Sequence, residues 1–158
     1  MTYEEAVAAI PADLYRHFKG NYYKVLCIAR HSEGEEPMVI YQALYGNNDI
    51  WVRPALMWNE EVVSDGRTVA RFQRLNAEER VRFYESIFDE LSAAAPAAVH
   101  TDEMRRKIKL IDDYYTSGQW REDYEMDEAG IFPDDLKRGV LSQDGVFDLL
   151  SKFDEDGE

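Results

Sequence analysis

The side chains best suited to chemistry in this chain of 158 residues lie between positions 16 and 53. Arg16, His17, Lys19, Arg30, His31, Ser32 and Arg53 are interleaved there with Tyr41, Tyr45 and Trp51. Cations beside flat rings hold a planar anion by ion pairing and stacking. A nucleotide-like or other small anion, a nucleic-acid end or a carboxylate peptide all suit such a group. The competing reading is structural, with the rings closing a core and the arginines paired to nearby acids. Side chains alternate along a strand, so Lys24 and Arg30 are expected on the face opposite Val25, Cys27 and Ala29. Trp51 and Arg53 share a face by the same rule.

Catalysis has less support. His31-Ser32-Glu33 contains the three residue types of a nucleophilic triad. Neighbours on an extended chain point to opposite faces, however, and a triad is a spatial arrangement. Ser32 and Glu33 suit a turn instead. His17, His31 and His100 have no metal-ligand spacing, and the acidic tail from Asp154 lacks the calcium-loop pattern, so neither metal nor cofactor is expected. Cys27 is the only cysteine, which rules out an intrachain disulfide and a multi-cysteine zinc site. Its apolar neighbours from Val25 to Ala29 predict a buried, inert thiol. The expectation is a non-enzymatic protein with no catalytic residue.

Those side chains need elements to position them. Residues 4–9 suit a short helix stopped by Pro11. Residues 22–31 and 38–45 are rich in β-branched and aromatic types and read as strands. Residues 46–49 form a turn into the strand 50–53, which Pro54 ends or places at an edge. Asp65-Gly66 marks a further hairpin between 61–63 and 68–74. Five short strands with tight turns predict a small closed barrel over residues 1–75.

From Asn76 the apolar period becomes helical. Asn76 caps, with Glu79 three residues on, and Val81, Tyr84, Phe88 and Leu91 form a stripe with Ile87 beside it. Ala93 to Pro96 breaks that helix. A second helix from Thr101 carries Met104, Ile108, Ile111 and Tyr115, with Gly118 as its C-terminal cap. The two are expected to pair as an antiparallel hairpin. A short acidic helix over 119–128 and a last helix capped by Ser142, with Val146, Leu149, Leu150 and Phe153 on its apolar face, complete a helical module over 76–158. The tail after Phe153 is expected to fray.

Charge divides along the same line. Residues 1–75 hold eight Lys/Arg and ten Asp/Glu, a balance of −2, whereas residues 76–158 hold ten and twenty-two, a balance of −12. The second half therefore repels phosphate, which argues against nucleic-acid or anionic-membrane partners there. The basic run Arg105 to Lys109 is expected to pair with the acidic residues 122–128. No basic-apolar leader and no apolar run of membrane-spanning length is present, so the expectation is a soluble, cytoplasmic protein.

Longer words carry a family resemblance. YRHFKGNYYKVLCIARHSE, YQALYG and WVRP occur in order, and residues 12–60 resemble the bacterial family called domain of unknown function 1653. That resemblance implies a small SH3-like β-barrel. WREDYEMDEAG and PDDLKRGVLSQDGVFDLL resemble domain of unknown function 4298 over residues 76–153 and imply a helical module. Neither resemblance implies a reaction or a catalytic set. The chain departs from the first family in GEE after HSE, where threonine is common, and in NNDI before WVRP, where an aromatic is common.

The fold expectation is thus α+β, an SH3-like β-barrel followed by a helical module. The leading functional expectation is a barrel face that recognises a small anionic or nucleotide-like ligand. A protein-protein adaptor acting through residues 76–158 is the alternative, and an enzyme on a nucleotide-like substrate ranks last.

Overall fold

The computed structural model describes residues 1–155 and divides between Leu75 and Asn76 into an antiparallel β-sheet unit and a helical unit, a mixed α+β architecture. Among the described residues no helix is long and apolar enough to cross a membrane. Residues 156–158 of the acidic tail, where part of the fraying expectation falls, lie outside the described residues.

Helix α1 (Tyr3–Ala9) opens with a capping box in which the Glu5 N–H donates to Thr2 Oγ1 at 3.1 Å and the Thr2 N–H donates to Glu5 at 3.0 Å. Seven strands follow, β1 (Leu14–His17), β2 (Tyr22–Arg30), β3 (Pro37–Ala43), β4 (Ile50–Pro54), β5 (Glu61–Ser64), β6 (Arg67–Ala70) and β7 (Phe72–Arg74), with a single helical turn, α2 (Ala55–Trp58), after β4. Five form one sheet in the order β4-β3-β2-β1-β7, and β5 pairs only with β6.

The expected closed barrel is not found, because no ladder among the described residues joins β4 to β7. Helices cover the inner face instead. Ala6 and Ile10 at one helix, and Ala55 and Trp58 of α2, pack with Tyr15, Val25, Val39, Tyr41 and Phe72 into the core. Trp58 stacks flat on Phe72 with centroids 3.7 Å apart. The segment 68–74, expected as one strand, breaks at Arg71. Its N–H donates to Glu60 O at 3.1 Å and its carbonyl accepts from Phe18 N at 3.0 Å, which frees β6 to stay with β5 while β7 joins β1.

A β-bulge in β2 overturns two further expectations. Val25 pairs with Tyr41, but Cys27 pairs with Ile40, so Leu26 is an extra residue in the ladder. One extra residue reverses the facing of everything after it. Val25 and Ile28 therefore both meet the core, and Cys27 is exposed rather than buried. Lys24 and Arg30 no longer share a face.

In the helical unit, α3 (Ala77–Ala93) starts at the Asn76–Glu79 capping box and buries Val81, Tyr84, Ile87 and Leu91. α4 (Asp102–Tyr115) is capped by Thr101 and ends at Thr116; Gly118, expected as its cap, instead begins α5 (Gly118–Glu128) behind the Ser117 cap. α6 (Gln143–Glu155) follows Ser142, whose Oγ accepts the Gly145 N–H at 3.1 Å. Tyr84 of α3 stacks on Tyr114 of α4 at 3.8 Å, and Glu90 of α3 pairs with Lys107 of α4, so the two run antiparallel.

A polar knot ties α5 to that pair. Asp123 is fully buried and accepts from Arg80 Nε at 2.8 Å, from Arg80 Nη2, and from the Tyr114 hydroxyl at 2.6 Å. Burial and that carboxylate raise the Tyr114 pKa. Three members of the basic run on α4 pair with acids other than residues 122–128. Arg105 pairs with Asp102, Lys107 with Glu90 and Glu103, and Lys109 with Asp113. Asp102, Glu103 and Asp113 lie three or four residues away on the same helix, and Glu90 faces Lys107 from α3.

Candidate functional site

Strand β1 separates two of the chemically suited residues. Tyr15 and His17 point to the inner face, and Arg16 between them points outward, where it pairs with Tyr22 on one side and Gln73 on the other. The β5–β6 hairpin turns at Asp65 and Gly66, both with positive φ (51° and 74°), a reversal that glycine at the second position makes possible. That turn sets Ser64 and Arg67 beside the end of β1.

Between the hairpin and β1 lies a cleft of about 550 Å³, with Arg16, His17, Phe18, Arg67 and Gln73 on its wall. Arg16 and Arg67 are exposed and form no ion pair among the described residues; Asp65 is the only acid on the wall. Gly20, with φ of 106°, carries the turn after β1 close to Arg16, where an added Cβ would lie 4.0 Å from Nη2. The cleft thus has two cations at its mouth and the rings of His17 and Phe18, 4.5 Å apart, at its side.

His17 joins this cleft to the aromatic core. Its ring lies edge-on to Phe72 at 5.0 Å and to Tyr23 at 6.2 Å. The Lys19 N–H donates to its Nδ1 at 3.2 Å, so the neutral ring carries its proton on Nε2. Burial lowers its pKa, and the nearby charges of Arg71, Lys19 and Arg53 lower it further. His17 is therefore a neutral hydrogen-bond donor inside a positive field.

The field comes from arginines short of partners. Arg53 sits over the Phe72 ring, 5.8 Å from its centroid, and its Nε is buried with no acceptor. Arg71 also has a buried Nε without an acceptor, although its Nη2 pairs with Glu60 at 3.3 Å. Next to them the Tyr23 and Tyr45 hydroxyls share a 2.6 Å hydrogen bond. Burial and that bond raise the Tyr23 pKa, and Arg53 opposes the shift.

The ten residues singled out from the sequence therefore separate. Arg16 and His17 line the cleft, and Lys19 and Arg53 act on His17. Tyr45 meets Tyr23, and Tyr41 is buried against Trp58. Trp51 shares the inner face with Arg53 but lies exposed on the edge strand β4. Arg30, His31 and Ser32 are at the opposite end of β2. Arg30 lies over Tyr3 at 4.1 Å and pairs with Glu4 at 3.7 Å. His31 Nδ1 accepts the Glu33 and Gly34 N–H groups, which makes it a turn residue, and Ser32 is exposed in that turn. They do not join the cleft.

Arg67, Arg71, Phe18 and Gln73 were missed. The Asp65-Gly66 signal was available and would have placed Arg67 at a hairpin, but which strand the hairpin overhangs is a tertiary fact. In the helical unit a second cleft of about 480 Å³ is lined by Tyr115, Trp120, Arg121, Tyr124 and Gln143, with Trp120 fixed by donating to Val140 O at 2.9 Å. Among the described residues no three His, Cys, Asp or Glu side chains gather as metal ligands.

Residues 13–74 match the family described as "Protein of unknown function (DUF1653)", and residues 78–156 match "Domain of unknown function (DUF4298)". A crystal structure of a DUF1653 protein from Bordetella bronchiseptica is 30% identical, covering 44% of this chain and 92% of that one, with a TM-score of 0.42. No curated protein matches the chain.

Proposed function

The chain belongs to DUF1653 through its sheet unit and to DUF4298 through its helical unit, and from that premise we propose that the sheet unit is a non-enzymatic binding module for a small anion that carries a flat ring, a nucleotide-like ligand. The observation that carries this reading is the cleft beside β1 with Arg16 and Arg67 unpaired on its wall. Charge-assisted hydrogen bonds from arginine are strong and suit the flat oxygen pairs of carboxylate and phosphate. The His17 Nε2–H supplies a further neutral donor, and Phe18 a surface for a ring. Binding rather than catalysis is favoured because no hydrogen bond among the described residues joins the Ser64 hydroxyl to His17, the step that would activate a nucleophile. The sheet unit is read here as an SH3-like module whose inner face is roofed by helices.

The test is a thermal-shift series on the full chain at low salt, with adenosine monophosphate and inorganic phosphate as probes. Ligand that binds only the folded state raises the melting temperature. Adenosine monophosphate should stabilise the protein more than phosphate does, and Arg16→Ala with Arg67→Ala should abolish the gain. No stabilisation by the nucleotide, or a gain that survives both substitutions, overturns the reading. A second reading, an adaptor acting through the acidic helical unit, draws on the aromatic cleft at Trp120 and Tyr124. Its test is capture of partners by residues 76–158 in comparison with the full chain.

A further inference from the structure

Strand β4 ends the five-stranded sheet, and nothing among the described residues pairs with its outer edge. Ile50, Trp51 and Val52 are 61%, 53% and 58% exposed, so three consecutive large apolar residues stand in solvent. Proteins commonly blunt such an edge with lysine, proline, a bulge or an inward charge. Here Pro54 closes the strand and Asp49 and Arg53 are inward charges, while Ile50, Trp51 and Val52 between them carry no such device. Pairing would complete the ladder and set those side chains against cross-strand counterparts.

The charges flanking this stretch decide the partner. Asp49 and Arg53 lie two residues either side of Trp51, so all three share a face, and Ile50 and Val52 share the other. Neither the Asp49 carboxylate nor the Arg53 guanidinium has an ion-pair partner among the described residues. A two-fold antiparallel pairing centred on Trp51 sets each Asp49 opposite the partner's Arg53, and each Ile50 opposite the partner's Val52. The two Trp51 rings then meet at the axis. Every position finds a complementary one, as a two-fold interface requires. Moving the register by two residues in either direction breaks both ion pairs.

We propose that the outer edge of β4 is a dimerisation surface on which two copies of this chain join their sheets antiparallel about Trp51, with reciprocal Asp49–Arg53 ion pairs. Cross-strand pairs of opposite charge and of aromatic rings are the units that stabilise such a ladder. The dimer does not depend on the ligand reading, because the β1 cleft is on the other side of the sheet order, beside β1 and β7.

The test is sedimentation equilibrium of the full chain without ligand, from low to upper micromolar concentration. A concentration-dependent dimer is expected. Ile50→Lys should dissolve it, since a charged, edge-protecting lysine would replace the apolar pair that Ile50 makes with the partner's Val52. Asp49→Arg should weaken it by about tenfold or more, because each attraction becomes a repulsion. Asp49→Arg combined with Arg53→Asp should restore much of the affinity. Unchanged melting temperatures of Ile50→Lys and Asp49→Arg in dilute solution confirm their fold. A monomer at every concentration overturns the proposal. So does a dimer indifferent to Ile50→Lys or to Asp49→Arg, which must be held elsewhere or in another register.

Discussion

Replacing Asp123 with Asn tests what holds the helical unit together. The substitution keeps the shape and removes the charge. In the folded unit the Arg80 side chain is 9% exposed and Asp123 is 0% exposed, so water cannot replace the lost carboxylate. Arg80 would stay buried beside a neutral amide, and the Tyr114 hydroxyl would lose a charged acceptor. Breaking a buried pair by removing one partner costs about 3–5 kcal/mol. The hydroxyl adds to this, since a hydrogen bond to a charged group contributes about 1.5–3 kcal/mol. The terms overlap, because both bonds end on one carboxylate, so the expected loss is about 4 kcal/mol. Urea unfolding of the full chain, followed by far-ultraviolet circular dichroism of its helices, is the assay. The transition of the helical unit should move to much lower urea. Tyr114→Phe removes only the hydroxyl bond and should cost about 1–3 kcal/mol. A loss below about 1 kcal/mol for Asp123→Asn would refute the argument, because that is the worth of an exposed pair.

Two further outcomes follow from the sheet unit. His17 has a pKa below the ordinary 6.5, so an unfolded chain takes up a proton that the folded unit resists. The resulting stability is fully present above pH 6.5 and is lost as pH falls through the folded pKa. His17→Asn should flatten that part of the melting-temperature profile, and a variant that keeps the full acid dependence would assign it to another group. Cys27 should react with a thiol reagent in the native protein at close to the rate of an unfolded control, since the Leu26 bulge leaves it exposed. Strong protection would contradict the bulge.

Local chemistry was legible wherever one residue acts on its immediate neighbours. The Asn76–Glu79 box, the Ser142 cap and the Asp65-Gly66 turn each involve groups within about one helical or hairpin turn, so order along the chain suffices to read them. The apolar stripe from Val81 to Leu91 is legible for a similar reason, because a helix repeats on a fixed period. Strands are less forgiving. Their facing depends on an alternation that a single extra residue reverses, and nothing in the run YYKVLCIAR marks Leu26 as that residue. Simple alternation therefore puts Cys27 and Arg30 on the wrong faces.

The sequence also showed Arg16, His17, Lys19, Arg30 and Arg53 interleaved with Tyr41, Tyr45 and Trp51. Which of them meet was settled by pairings between distant segments. β1 against β7 sets Arg16 beside Gln73, and the overhang of the β5–β6 hairpin adds Arg67. Arg53 reaches Phe72 only because the chain breaks its strand at Arg71 and returns to β1. The amino-acid order thus determined helices, caps and turns, whose energies come from near neighbours. The site and the open sheet edge belong to tertiary structure, because the contacts that make them join residues tens of positions apart.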